Sequence, residues 1–117
     1  MTATEPIDLT QLARQCRNRS AQLYRRARKA DRDGREWDRQ AARADENAAW
    51  YERHASDPDD PEFAQVCRDR APEQRALAGH CRTYAQHQRE WAPRWRALAA
   101  DAAAQARRFD RLAEGTE

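Results

Sequence analysis

The chain has 117 residues, of which 36% are charged and 39% hydrophobic, and its 22 basic and 20 acidic side chains leave a formal net charge of +2. Its 25 Ala, single Val and single Ile argue against a β-rich fold, because strands favour β-branched side chains. With only 3 Gly and 5 Pro the chain also lacks the bias of Gly- and Pro-rich disordered proteins. A single all-α domain spanning residues 1–117 is the class that remains.

The N-terminal residues have neither the basic nor the apolar region of a signal peptide, and no apolar run reaches the ~20 residues of a membrane span. The three cysteines, Cys16, Cys67 and Cys81, are odd in number and form no CxxC motif. We therefore expect a cytoplasmic protein with reduced thiols and no membrane contact. The 21 Arg against one Lys, together with many Ala, are typical of GC-rich genomes and suggest a bacterial or phage origin.

The first element is predicted as a helix over residues 8–55, with Asp8 as its N-cap. Two columns of apolar or small residues repeat every seven positions through it without a charged residue. One column holds Leu9, Cys16, Leu23, Ala30, Trp37, Ala44 and Tyr51. The other, which we call the small column, holds Ala13, Ser20, Ala27, Gly34, Ala41, Ala48 and Ala55. Alternating spacings of three and four residues indicate a coiled-coil seam.

Gly34 disfavours a helix by about 1 kcal/mol relative to Ala. The seven-residue phase is nevertheless the same on both sides of it, whereas a break would usually reset the phase. The pattern therefore favours one continuous helix.

Residues 56–60 are predicted as a turn, followed by a second helix over residues 61–114 with Asp60 as N-cap and Gly115 just beyond its end. An alanine column repeats through this helix at Ala64, Ala71, Ala78, Ala85, Ala92, Ala99, Ala106 and Ala113. Pro72 and Pro93 interrupt the segment without changing the phase. Each could break or kink the helix there.

A short turn between two long helices predicts an antiparallel coiled-coil hairpin with alanine-rich seams. Equal rise from the centre of the turn implies that facing residues have numbers adding up to about 116. Trp37 should then lie near Gly79, and Trp95 near Ala21.

The second helix has more apolar surface than the first helix can cover. The position just before each column alanine is large and apolar in six of eight repeats. We define the apolar row as Leu77, Tyr84, Trp91 and Leu98. Exposed rows of this size mark interaction sites, so we expect the row to be a dimer interface that builds a four-helix bundle. The alternative is a compact monomer, folded at Gly34 and Pro93 into four shorter helices.

Charge is distributed unevenly along the chain. Residues 11–30, which we call the basic segment, contain seven basic residues and no acid. In a hairpin this positive charge lies at the end that carries the termini, forming a basic tip that attracts acidic surfaces. The predicted partner-binding residues are Arg14, Arg25, Arg26, Arg28 and Lys29, with Trp50 as an aromatic anchor off the seam. The alternative for Trp50 is that it caps the packing at the turn end. A solvated helix face with internal ion pairs would show the same pattern.

No arrangement of residues predicts catalysis, a cofactor or a metal site. His80 and His87 lie about 10 Å apart along one helix, too far to share an ion. We therefore expect a non-enzymatic protein–protein interaction module that acts as an adaptor, regulator or inhibitor and is borne by a phage or mobile element. The alternative is a non-specific nucleic-acid-binding protein that uses the basic segment.

Overall fold

The structure is a computed structural model that describes residues 6–115. It contains two long helices, α1 (Leu9–His54) and α2 (Pro61–Glu114), and no strand among these residues. The all-α prediction and the two predicted helices are thereby confirmed. Residues 1–5, which contributed to the prediction that no signal peptide is present, lie outside the described residues.

Side chains and backbone geometry at the helix ends explain where the helices begin and end. The carboxylate of Asp8 accepts a hydrogen bond from the Gln11 amide at 3.0 Å, and that of Asp60 accepts one from the Phe63 amide at 3.0 Å. Both acids are therefore N-caps, as predicted, and α1 starts at Leu9 because a cap is not itself helical. Gly115 follows α2 with a φ of 74°, which favours glycine because it has no Cβ.

Neither glycine nor proline breaks the helices. α1 runs through Gly34, and α2 runs through Pro72 and Pro93, so the alternative of four shorter helices is wrong. Both prolines lie at exposed positions, where water can bond to the helix carbonyls that lose an N–H partner.

The chain forms two compact units, each built from one part of α1 and one part of α2. Unit 1 contains the described residues of 1–29 and 91–117, and unit 2 contains residues 30–90. Within each unit, contact partners have falling numbers on α2 as their numbers rise on α1, so the two helical segments are antiparallel.

In unit 1 the helices meet through small side chains. Ser20 is 6% exposed, and its hydroxyl donates a hydrogen bond of 2.8 Å to the carbonyl oxygen of Ala99. A serine side chain reaches the backbone of a neighbouring helix only when the two helices lie close together. The alanines one heptad away on either side are also buried, namely Ala13, Ala27, Ala92 and Ala106.

Unit 2 repeats this packing around Gly34. An ideal Cβ on Gly34 would lie 3.6 Å from the carbonyl oxygen of Ala85 and 3.5 Å from the Cβ of Gln88. Most of the other column members in this unit are buried, namely Ala41, Ala48, Ala64, Ala71, Ala78 and Ala85. Ala55, predicted as the last member of the small column, is half-buried and lies in the turn, because α1 ends at His54. The predicted alanine-rich seam is therefore present in both units.

A ladder of ion pairs runs beside the seam in unit 2. Arg89 contacts Asp38 at 2.7 Å, Arg75 contacts Asp45 at 3.0 Å and Glu52 at 2.9 Å, and Arg82 also pairs with Asp45. These acids recur every seven residues on α1, and these arginines recur every seven on α2. All the pairs are exposed to solvent, so each adds little stability. Arginines also stand at positions 68 and 96, one heptad beyond each end of the ladder. A shift of one heptad would therefore pair the acids with arginines again, so the ladder does not select between these registers.

The register differs from the one predicted. Trp37 lies against Tyr84, with ring centroids 5.0 Å apart, instead of near Gly79, and Trp95 lies beside Arg26 instead of near Ala21. The prediction assumed that the helices begin to pair directly after the turn.

The first turns of α2 still belong to the reversal of the chain. The guanidinium of Arg68, seven residues into α2, donates a hydrogen bond of 2.7 Å to the carbonyl oxygen of Ala55, the residue that follows α1. In both pairs, Trp37 with Tyr84 and Arg26 with Trp95, the residue numbers add up to 121 instead of the predicted 116, so the facing residue lies five positions further along α2.

Candidate interaction surfaces

The apolar row is exposed along α2, with two of its members in each unit. In unit 2, Leu77 is 48% and Tyr84 51% exposed. One side of the Tyr84 ring is occupied by Trp37, and Leu77 borders a shallow depression with Gln40 and Asn47. This part of unit 2 therefore offers an aliphatic and an aromatic side chain, both held on a rigid helix.

In unit 1, Trp91 is 46% and Leu98 45% exposed. The ring of Trp91 stacks on that of Trp95 at a centroid distance of 5.5 Å. The guanidinium of Arg94 lies 5.0 Å from the Trp91 ring centroid, and that of Arg26 lies 5.2 Å from the Trp95 centroid. Cation–π contacts of this kind hold the tryptophan pair in place and border it with positive charge.

Trp95 belongs to this cluster but was not predicted as a binding residue. Its signal in the sequence is the spacing of Trp91, Arg94 and Trp95, because residues three and four apart lie on one side of a helix.

The basic segment is only partly occupied by contacts within the chain. Arg17 forms an ion pair of 2.9 Å with Asp110, and Arg26 is held over Trp95. Lys29 also interacts within the chain. The other three predicted partner-binding residues, Arg14, Arg25 and Arg28, are exposed and form no ion pair with another described residue.

Trp50 lies in unit 2, in an aromatic cluster beside the turn. It is 42% exposed, stacks on His54 at 4.2 Å, and makes edge contacts with Tyr51 at 5.3 Å and Phe63 at 5.9 Å. Trp50 belongs to unit 2, whereas the five predicted basic residues belong to unit 1. The structure therefore does not place Trp50 with the five predicted basic residues, and its contacts are those of packing at the turn.

The ion-pair ladder of unit 2 was not predicted, although the seven-residue spacing of its acids and of its arginines is visible in the sequence. The hydrogen bond from Arg75 lowers the pKa of Glu52, and the same bond raises the pKa of Arg75. Both effects favour the charged forms of the pair. Because every member has a partner in the chain, the ladder serves the fold, and we do not assign it to a binding site.

All three cysteines are free thiols, with Cys67 and Cys81 buried and Cys16 half-buried. Residues 6–115 contain no group of three His, Cys, Asp or Glu side chains arranged to hold a metal ion. In the same part of the chain, neither helix has a segment apolar and long enough to cross a bilayer.

Comparison with the models of protein families, with curated proteins and with solved structures finds no match to this chain.

Proposed function

We propose that the protein is a small non-enzymatic protein–protein interaction module, in which the apolar row binds a second copy of the chain and the basic segment binds an acidic protein. An adaptor, regulator or inhibitor works in this way. The observation that carries the proposal is the apolar row itself, because four large apolar side chains at consecutive heptad positions are each about half exposed.

Single exposed apolar residues are common on proteins, but a continuous row is not. The row lies on α2 beside the alanine column that is already packed on α1. Its seven-residue spacing is the spacing with which helices pack on one another. Another helical surface with the same repeat is therefore the partner that fits it best.

The second surface is the part of the basic segment that forms no ion pair or hydrogen bond with another described residue. Arg14, Arg25 and Arg28 add three positive charges without a neutralising acid among the described residues. Such a patch raises the association rate with a negatively charged surface and makes that rate dependent on salt.

The second candidate function, non-specific nucleic-acid binding, rests on the same three guanidinium groups, because arginine also pairs with phosphates. Tyr24, 38% exposed, is the single aromatic residue between positions 11 and 30, so stacking on bases contributes little. Protein binding is therefore the preferred function for the segment.

The test uses two variants. In the first, Arg14, Arg25 and Arg28 are changed to Ala, and in the control, Arg32, Arg35 and Arg53 are changed to Ala. The control removes the same number of exposed charges from unit 2. Tagged wild type and both variants are used as bait in nuclease-treated extract of the source organism, and retained proteins are identified by mass spectrometry. The expected partner is an acidic protein retained by wild type and control but lost with the first variant.

Binding is then repeated with purified partner at two salt concentrations, where weakening by salt is expected. If the first variant instead loses retention on heparin and duplex DNA, with no protein lost, nucleic-acid binding replaces the proposal. Equal behaviour of both variants in all assays would show that the basic segment binds neither class of partner.

A further inference from the structure

The two units differ in charge. Unit 1, counted over residues 1–29 and 91–117, has twelve basic and six acidic residues, whereas unit 2, residues 30–90, has ten basic and fourteen acidic residues. Unit 1 therefore has an excess of positive charge and unit 2 an excess of negative charge. The near-neutral total of the chain conceals this division.

The apolar row is divided between the same two units and is symmetric in the kind of side chain. Read along α2, its members are aliphatic, aromatic, aromatic and aliphatic: Leu77 and Tyr84 in unit 2, then Trp91 and Leu98 in unit 1. Reversing the direction of the helix leaves this order unchanged. A surface of that kind is complementary to a second copy of itself, which a two-fold interface requires.

We infer that two copies of the chain pair antiparallel through α2, with unit 1 of each copy docked on unit 2 of the other. This inference rests on the proposed function, since it specifies how the apolar row binds a second copy. Leu77 packs on Leu98 of the second copy, and Tyr84 packs on Trp91 of the second copy. A symmetric dimer contains each of these contacts twice.

Charge favours this direction over the parallel one. The acidic excess of unit 2 lies on residues 30–60, with ten acidic and five basic residues, whereas residues 61–90 of α2 are nearly balanced, with four acidic and five basic residues. In the antiparallel pair each unit lies beside the unit of opposite net charge, so the net charges attract at long range. In a parallel pair each unit faces its own kind, and the charges repel. Part of the binding free energy is therefore electrostatic, and the dimer dissociates more readily at high salt.

The experiment measures the mass of the full chain by sedimentation equilibrium at micromolar concentration. Wild type is expected at twice the 13.6 kDa of one chain. The variants Leu77→Lys and Leu98→Glu are each expected to weaken the dimer by about tenfold or more, because each places an unpaired charge against an apolar residue. The control is Val66→Lys, on the same helix at a similarly exposed position (47%) outside the row, which is expected to leave the dimer intact.

The decisive sample is an equimolar mixture of Leu77→Lys and Leu98→Glu. In the antiparallel pair the mixed dimer contains one native contact between Leu77 and Leu98 and one between the new Lys and the new Glu, so dimerisation is expected to return. In a parallel pair neither contact would be restored. Circular dichroism of each variant establishes that the helices remain formed.

A mixture that stays monomeric, or single variants that dimerise like wild type, would overturn the inference. A monomeric wild type would overturn it as well, but would leave the capture result for the basic segment standing. Conversely, an antiparallel dimer with no partner for the basic segment would support the inference and contradict the rest of the proposed function.

Discussion

Gly34 occupies a position in the small column of α1 where its neighbours one heptad away, Ala27 and Ala41, are both buried alanines. Replacing it with Ala completes the column. The new Cβ would lie 3.5 Å from the Cβ of Gln88 and 3.6 Å from the carbonyl oxygen of Ala85, which is ordinary van der Waals contact. The methyl group therefore fits without moving α2.

The expected gain in the free energy of unfolding has two parts. Ala is favoured over Gly inside a helix by about 1 kcal/mol, and burying one methyl group adds up to about 0.8 kcal/mol. Gly79 is a matched control, since it lies inside α2 with no atom within 4 Å of an added Cβ. Gly79→Ala should therefore give about 1 kcal/mol from helix propensity alone.

Unfolding is followed in urea by circular dichroism at one fixed protein concentration, because the proposed dimer would make stability depend on concentration. In heat, about 1 kcal/mol corresponds to roughly 4 °C for a chain of this length. A second pair of variants, Gly34→Leu and Gly79→Leu, tests how closely α1 and α2 approach each other. Only Gly34→Leu forces side-chain atoms into the facing helix, which should lower the free energy of unfolding by about 1–3 kcal/mol.

A Gly34→Ala variant less stable than Gly79→Ala, or a Gly34→Leu variant as stable as Gly79→Leu, would refute the close packing of α1 on α2 at this position.

Three further predictions concern single contacts. Ser20→Ala removes the hydrogen bond to Ala99 and should lower the free energy of unfolding by about 1 kcal/mol. Ser20→Val should lower it further, because the larger side chain crowds the seam. Equal urea midpoints for the two variants would contradict this prediction. The hydrogen bond from Arg75 lowers the pKa of Glu52 below its ordinary value of 4.5. The charged carboxylate therefore stabilises the fold at any pH above 4.5, and this contribution is lost as the pH falls through the lowered pKa. The difference in melting temperature between wild type and Glu52→Gln should accordingly be present at pH 7 and disappear in acid; a difference that persists at pH 2 would show another cause. Asp60→Ala removes the N-cap of α2 and should cost about 1 kcal/mol in urea denaturation, with Asp60→Asn close to wild type as its control.

The helices were predictable because their signals are local. Asp8 and Asp60 precede the first residues of the two helices, and each carboxylate accepts a hydrogen bond from an amide three residues on. The unchanged heptad phase also predicted correctly that α1 continues through Gly34. Burial of the helix against α2 outweighs the unfavourable helix propensity of this one glycine, which is about 1 kcal/mol.

The surfaces were predictable only in part. Leu77 and its partners in the apolar row are exposed, as the excess of apolar positions on α2 predicted. The grouping of Trp50 with the basic residues was not supported, because a position off the seam does not specify which neighbours a large ring contacts. Likewise, the sequence pattern did not show that Arg26 is held by Trp95 whereas Arg25 has no such contact among residues 6–115, since this depends on the facing helix.

By itself, the sequence determined that this protein consists of two long helices whose alanine columns meet, because periodicity and capping act over a few residues. Only the tertiary structure decided the register, which places Trp37 on Tyr84 and matches the acids of α1 with the arginines of α2. The physical reason is that register depends on contacts between residues far apart in the chain and on how many residues the reversal uses. A repeat of seven is satisfied by any shift of one heptad, and the charges of the ladder follow the same repeat, whereas single contacts such as Trp37 on Tyr84 and the hydrogen bond from Ser20 to Ala99 belong to one register only.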